Sequence, residues 1–203
     1  TMIRAARAAG IIPMVRVAEV TEDAIKKVLD LGVSGIFVPS IKSVDEARKV
    51  VEYARFYPLG NRGACPYVRA NQFGACDCTE YYSKANEEIF INISIEGSDA
   101  IKYMEEIVAL PGIDGINIGP VDLSVSLGIP GQVHDPRIKK ALKDAANLAH
   151  KYGKYSNALC LRSEDVIEYK DCVGMDYFLV AIPEMVIIEG YRNIVNEIAE
   201  YLK

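Results

Sequence analysis

The sequence of 203 residues has no apolar run of about 18 residues or more, so no transmembrane helix and no membrane partner are expected. It has no low-complexity segment and no shift of composition that would mark a domain boundary. Residues 1–9 carry Arg4 and Arg7 with no apolar segment behind them, so no secretory signal is expected. Positive charge is in short supply. The net charge of −5 argues against a nucleic-acid partner, which favours basic surfaces. Histidine is scarce, with only His134 and His150. The five cysteines, Cys65, Cys76, Cys78, Cys160 and Cys172, are odd in number and irregular in spacing, which excludes a disulfide framework. Cys76 and Cys78 stand too close for a zinc-ribbon pair, and the histidines are too few to complete such a site. Free thiols in a reducing, cytoplasmic compartment are the expectation. No G-x-G-x-x-G segment follows a strand, so a dinucleotide-binding open sheet has no support.

Half of the residues are apolar and a quarter are charged, enough to build the core of one sizeable domain over 1–203. Short β-rich runs at 11–17, 35–39, 89–96, 115–119, 154–160 and 177–182 alternate with longer amphipathic runs. Helices are expected at 22–31, 44–54, 80–87, 99–110, 136–152, 163–170 and 184–202. Thr21 caps the first of these, and Ser43 with Glu46 forms a capping box for the second. Asp135-Pro136 opens a further helix, with the acid as cap and proline in the first turn. The last carries Tyr191, Ile194, Val195, Ile198 and Leu202 at helical spacing. Six βα units in series with nearly continuous apolar strands predict a parallel α/β sheet with helices outside it. A long segment, 56–79, is rich in Gly, Pro and Asn. Its Arg62 and Arg69 are candidates either for a second substrate carboxylate at the mouth or for tying the loop down.

The polar residues favour a (β/α) barrel. Arg16, Glu96 and Asp122 stand at or just past strand ends, the face where barrels place their chemistry. Glu96 ends "INISIE", and Asp122 follows "GINIGP" about one βα repeat later. Neighbouring strands would aim both carboxylates into one mouth, where they repel unless a cation or proton is shared. A hard divalent cation with oxygen ligands and retained water answers that repulsion. Two separate helix-capping acids are the alternative. Arg16 in "MVRV" needs an anionic partner if it points inward: a bound carboxylate or developing oxyanion, or else a structural acid such as Glu19. Gly119 and Pro120 would let the backbone approach a substrate carboxylate, although Gly-Pro equally marks a plain turn.

The segments "GIIPMVRV", "LDLGVSGIFVPSIKSVDEA", "YPLGNRGACP", "ISIEG" and "GIDGINIGPVDLSVSLGIPGQ", in that order, resemble the HpcH/HpaI aldolase family. These are metal-dependent pyruvate aldolases related to citrate lyase β-subunits. The resemblance runs along essentially the whole chain, and its most specific parts are the strand-end Glu and "GPVDLS". It implies a TIM-type (β/α)8 barrel, of which six βα units are present. It implies Mg, Mn or Co held by Glu96 and Asp122, pyruvate chelating that metal, and Arg16 steadying the keto or enolate oxygen. The implied reaction is retro-aldol cleavage of a 4-hydroxy-2-oxo acid to pyruvate and an aldehyde, in a homo-oligomer. The family also carries two upstream βα units with an acid-x-Glu-His-Gly-like segment for proton transfer, which neither His134 nor His150 matches. A citrate-lyase-like action on a CoA thioester, or a catalytically inactive barrel fragment that keeps metal and oxo-acid binding, are the competing expectations.

Overall fold

A computed structural model of the protein describes residues 1–202 apart from the side chain of residue 99. Six strands form one parallel sheet: β1 (Met14–Arg16), β2 (Gly35–Ile41), β3 (Phe90–Ile95), β4 (Gly115–Ile118), β5 (Tyr155–Cys160) and β6 (Tyr177–Val180). The order of strands in the sheet is their order in the chain. Crossovers between parallel strands are right-handed, so strands always added to the same edge leave every crossover helix on one face. A doubly wound sheet reverses its order at a switch point, and this sheet has none.

Two residues measure how strongly the sheet curls. The Tyr177 hydroxyl on β6 donates to Asn92 Oδ1 on β3 at 2.9 Å. Three interstrand steps would separate those strands by about 14 Å on a flat sheet. The result is a half-barrel whose edges, β1 and β6, do not pair with each other.

Side chains alternate between its two faces. Ile36, Val38, Ile91, Ile93, Ile95, Ile116 and Ile118 are fully buried toward the helices. The concave face carries a polar layer instead. Asn157 Nδ2 donates to Asn92 Oδ1 at 2.8 Å, Asn117 Nδ2 to Asn157 Oδ1 at 3.1 Å, and Ser94 Oγ to Asn117 Oδ1 at 2.9 Å. Mutually bonded amides are tolerated in an interior because most of their polar groups find partners, and here Asn92 Nδ2 is the member of the layer left without one.

The helices are α1 (Met2–Ala8), α2 (Glu22–Asp30), α3 (Val44–Ala54), α4 (Cys78–Glu88), α5 (Ser98–Lys102), α6 (Met104–Val108), α7 (Pro120–Ser126), α8 (Pro136–Lys151), α9 (Ser163–Ile167) and α10 (Pro183–Tyr201). The single helix expected over 99–110 is two, parted at Tyr103 with φ −105°. The apolar spacing runs on across that break, so periodicity could not show it. A helix follows Gly119-Pro120 where a turn was an equal expectation. Pro120 holds its first position, where the missing N–H costs nothing. The capping box at α3 forms only in part. Ser43 Oγ accepts from the Glu46 N–H at 3.2 Å, but the Glu46 carboxylate reaches back to the N–H of Lys42 at 2.7 Å. The apolar stripe of α10 is uncovered, and no residue of that helix is buried.

The long segment 56–79 lies at the end away from the mouth, because it packs on the turn between α2 and β2: a Cβ on Gly32 there would lie 3.3 Å from Ala70 Cα. Arg62 is buried there, pairs with Asp30 at 2.8 Å, and stands 4.4 Å from the centre of the Phe56 ring. Arg69 lies over Phe73 at 5.2 Å. Both arginines therefore serve the loop and not a substrate at the mouth. His150 belongs to the same end, with Nε2 2.9 Å from Asp176 Oδ1.

Candidate functional site

The candidate site lies at the C-terminal ends of β2, β3 and β4. Glu96 directly follows β3, and Asp122 sits in the first turn of α7, just past β4. A backbone-to-side-chain bond draws the two segments together: the Ser98 N–H donates to Ser126 Oγ at 2.7 Å. Gly119 shows how close the carboxylates come. A Cβ placed on it would lie 3.1 Å from Asp122 Oδ2 and 3.5 Å from Glu96 Cγ. Its φ of −76° and ψ of 99° are open to any residue. Glycine is needed here for space between two acids, and not for an unusual backbone.

Glu96 and Asp122 line one cavity of about 520 Å³, together with Ser40, Lys42 and small neighbours such as Ser98 and Ser126. Asp122 is exposed and Glu96 half-buried. Neither is paired with a cationic side chain among the described residues. Among the described residues, no third His, Cys, Asp or Glu completes a protein-only metal cage there. Two carboxylates around an open space suit a hard cation that keeps several waters or takes oxygen atoms from a ligand. They do not suit a structural zinc site, which wants four protein ligands, mostly Cys and His.

Arg16 lies on β1, two strands away from Glu96. It stands opposite Phe37 in the ladder, Phe37 opposite Asn92, and Asn92 opposite Gly115. Residues paired across a parallel ladder present their side chains to the same face. Asn92 is on the concave face, so Arg16 is as well. It is exposed and has no ion pair or hydrogen bond among the described residues. Glu19, the structural partner considered for it, accepts instead from the Thr21 hydroxyl at 3.5 Å.

Ser40 is a residue the sequence reading missed. Its Oγ donates to Glu96 Oε2 at 2.9 Å. Pro39 within a predicted strand was the available signal, since proline inside a sheet marks an edge or a bulge. Lys42 also went unremarked, and it supplies the cation lining the cavity.

A parallel half-barrel with a carboxylate pair at its strand ends defines a class of barrel enzymes, and comparison with known proteins narrows it. The HpcH/HpaI aldolase/citrate lyase family matches residues 1–170, and the chain belongs to that family. It is 35% identical over 158 residues to a hydroxypyruvate/pyruvate aldolase of Sagittula stellata, covering 78% of this chain and 61% of that protein. It is 31% identical over 184 residues to a 2-keto-3-deoxy-L-rhamnonate aldolase of Salmonella paratyphi A, covering 89% of this chain and 67% of that protein. The chain thus spans about three fifths to two thirds of these relatives' length. Among solved structures it resembles the citrate synthase SbnG, with a TM-score of 0.86 at 30% identity, over 100% of this chain and 78% of that one. An HpcH/HpaI family protein of Burkholderia cenocepacia aligns with a TM-score of 0.89 at 27% identity, over 97% of this chain and 78% of that one.

Proposed function

We propose that the protein is a divalent-metal-dependent aldolase that cleaves or forms 4-hydroxy-2-oxo acids, with pyruvate and an aldehyde as the two halves. The carrying observation is the approach of Glu96 and Asp122 over Gly119. The names of the aldolase relatives support the reaction class.

Glu96 and Asp122 would hold Mg, Mn or Co, with their negative charges offsetting the cation's. A bound divalent cation supplies Lewis-acid polarisation of the substrate's 2-oxo group. Gly119 keeps the space between the acids clear, and Ser98, Ser126 and Gly97 keep the walls low enough for a small oxo acid. Arg16, on the concave face and free of protein partners, would meet the negative charge that develops on the 2-oxo oxygen as C3–C4 breaks. Its planar fork suits an oxygen anion or a carboxylate. A proton must leave the 4-hydroxyl and another must reach C3. His150 is engaged with Asp176 at the far end of the barrel, so it is not the group that moves them.

A second reading keeps the same site but acts on a CoA thioester, as a citrate-lyase-like carbon–carbon lyase. The likeness to a citrate synthase over the full chain favours it. Cytoplasmic location and a homo-oligomer are also proposed. The uncovered apolar stripe of α10 supports packing against a second copy of this chain.

The test is a retro-aldol assay over a panel of 4-hydroxy-2-oxo acids and citryl thioesters, with and without chelator. Metal-dependent pyruvate release from the hydroxy-oxo acids is expected. Turnover that survives chelation, or cleavage of the thioesters alone, contradicts the first reading.

A further inference from the structure

We propose that Ser40 is a positioning residue for Glu96, holding one carboxylate oxygen so that the other faces the cation; this rests on the metal-site reading above. The observation is the hydrogen bond from Ser40 Oγ to Glu96 Oε2 at 2.9 Å, across 56 positions of sequence. The backbone is bent to make it. In regular alternation Ser40 would follow Ile36 and Val38 onto the face covered by helices, away from Glu96. The β2–β3 ladder instead shifts register between Val38 and Ile41. Ser40 takes a φ of +60°, in the left-handed region. Ile41 then resumes the buried helix face opposite Ile95, and the Ser40 hydroxyl is freed to turn toward the mouth. Bulges of this kind re-aim a side chain next to functional sites. Residues held at positive φ persist only where the surroundings fix them. Beyond the bulge the Glu96 N–H donates to the Ile41 carbonyl at 3.1 Å and the Lys42 N–H to the Glu46 carboxylate at 2.7 Å.

Glutamate has several rotamers, and an exposed strand-end carboxylate would sample them. A hydroxyl donor on Oε2 selects one and leaves Oε1 open to the cavity. Partners that orient metal ligands contribute about 10- to 100-fold in metal affinity. The Ser40 bond is solvent-exposed, which places its effect near tenfold.

The experiment uses Mn²⁺ alone as probe, read from the spin-resonance signal of free Mn²⁺ and alongside thermal unfolding. Ser40→Gly removes the hydroxyl and relieves the positive φ, so its melting temperature should equal or exceed that of the unchanged protein. Its Mn²⁺ affinity should fall about tenfold. Asp122→Ala should abolish binding. Unchanged affinity in Ser40→Gly, with binding lost in Asp122→Ala, overturns the role of Ser40 and spares the site. Weaker binding together with a lower melting temperature makes Ser40 structural and also overturns the role. Unchanged binding in Asp122→Ala overturns the metal site itself.

Discussion

Gly119 and Asp122 share one space: a Cβ on the first would lie 3.1 Å from Oδ2 of the second. Gly119→Ala is therefore expected to fold, because its φ and ψ are open to alanine, while its methyl pushes the Asp122 carboxylate aside. Mn²⁺ affinity measured by calorimetry should drop by about tenfold or more, as for other disturbances around a metal ligand. Full affinity in the alanine variant would mean that this space does not hold the ion.

Arg16 and the carboxylate pair are separable in function. Arg16→Lys should leave Mn²⁺ binding unchanged and weaken pyruvate binding to the Mn²⁺-loaded protein, because a point charge replaces a planar fork. Calorimetric titration with pyruvate checks this. Equal pyruvate affinity would remove Arg16 from the site.

The opposite end of the barrel should answer in stability and not in binding. Arg55 is 2% exposed and binds Asp114 Oδ2 at 2.6 Å, Gly112 O at 2.8 Å, Asn86 O at 2.7 Å and Ile89 O at 2.9 Å. Arg55→Ala strands those acceptors and is expected to cost about 3–5 kcal/mol in denaturant unfolding. A loss below about 1 kcal/mol would contradict the contact network.

Lys154 gives the stability a pH dependence of known sign. Burial pushes its ammonium down to about 8 from the ordinary 10.5, against the pull of Asp114. Its Nζ donates to the Leu110 carbonyl. Between about pH 8 and 10.5 the unfolded chain holds the proton that the folded chain has released, so this group raises stability as pH rises. The Cys160 thiol and the phenols of Tyr81, Tyr169 and Tyr177 are pushed up by burial and act in the opposite direction as pH climbs past their ordinary values. Comparison with Lys154→Met isolates the lysine. The unchanged protein should gain stability over the variant from pH 8 to 10, and parallel profiles would contradict this.

Much of this arrangement was legible in the sequence. Five strands read well as short β-rich runs bounded by glycine or polar residues, whereas the run at 11–17 pairs only over Met14–Arg16, an edge strand with a neighbour on one side alone. Helix α3 read well because Ser43 caps an apolar stripe, and its bounds match at Val44–Ala54. Glu96 and Asp122 stood out as acids directly behind buried strands. What did not read has physical causes. Helix α7 spans under two turns, too short for any periodicity to register. Ser40 could not be placed because a bulge, and not the alternation of the strand, decides where it points. Of the two roles left open for Arg62 and Arg69 in the 56–79 loop, tying the loop down is the one observed, and the choice rested on Asp30 and Phe56 as partners that are distant or unmarked in sequence. The stripe of α10 read correctly as apolar, but a sequence does not say what covers it.

The most direct measurement is the melting temperature with Mn²⁺ and pyruvate added, for the unchanged protein and for Asp122→Ala. A ligand at a hundred times its Kd stabilises by about 2.7 kcal/mol, which is a rise of roughly 5–10 °C for a chain of this size. The expected result is that rise in the unchanged protein and none in Asp122→Ala. No rise in either, or the same rise in both, would contradict a metal and oxo-acid site built on Glu96 and Asp122.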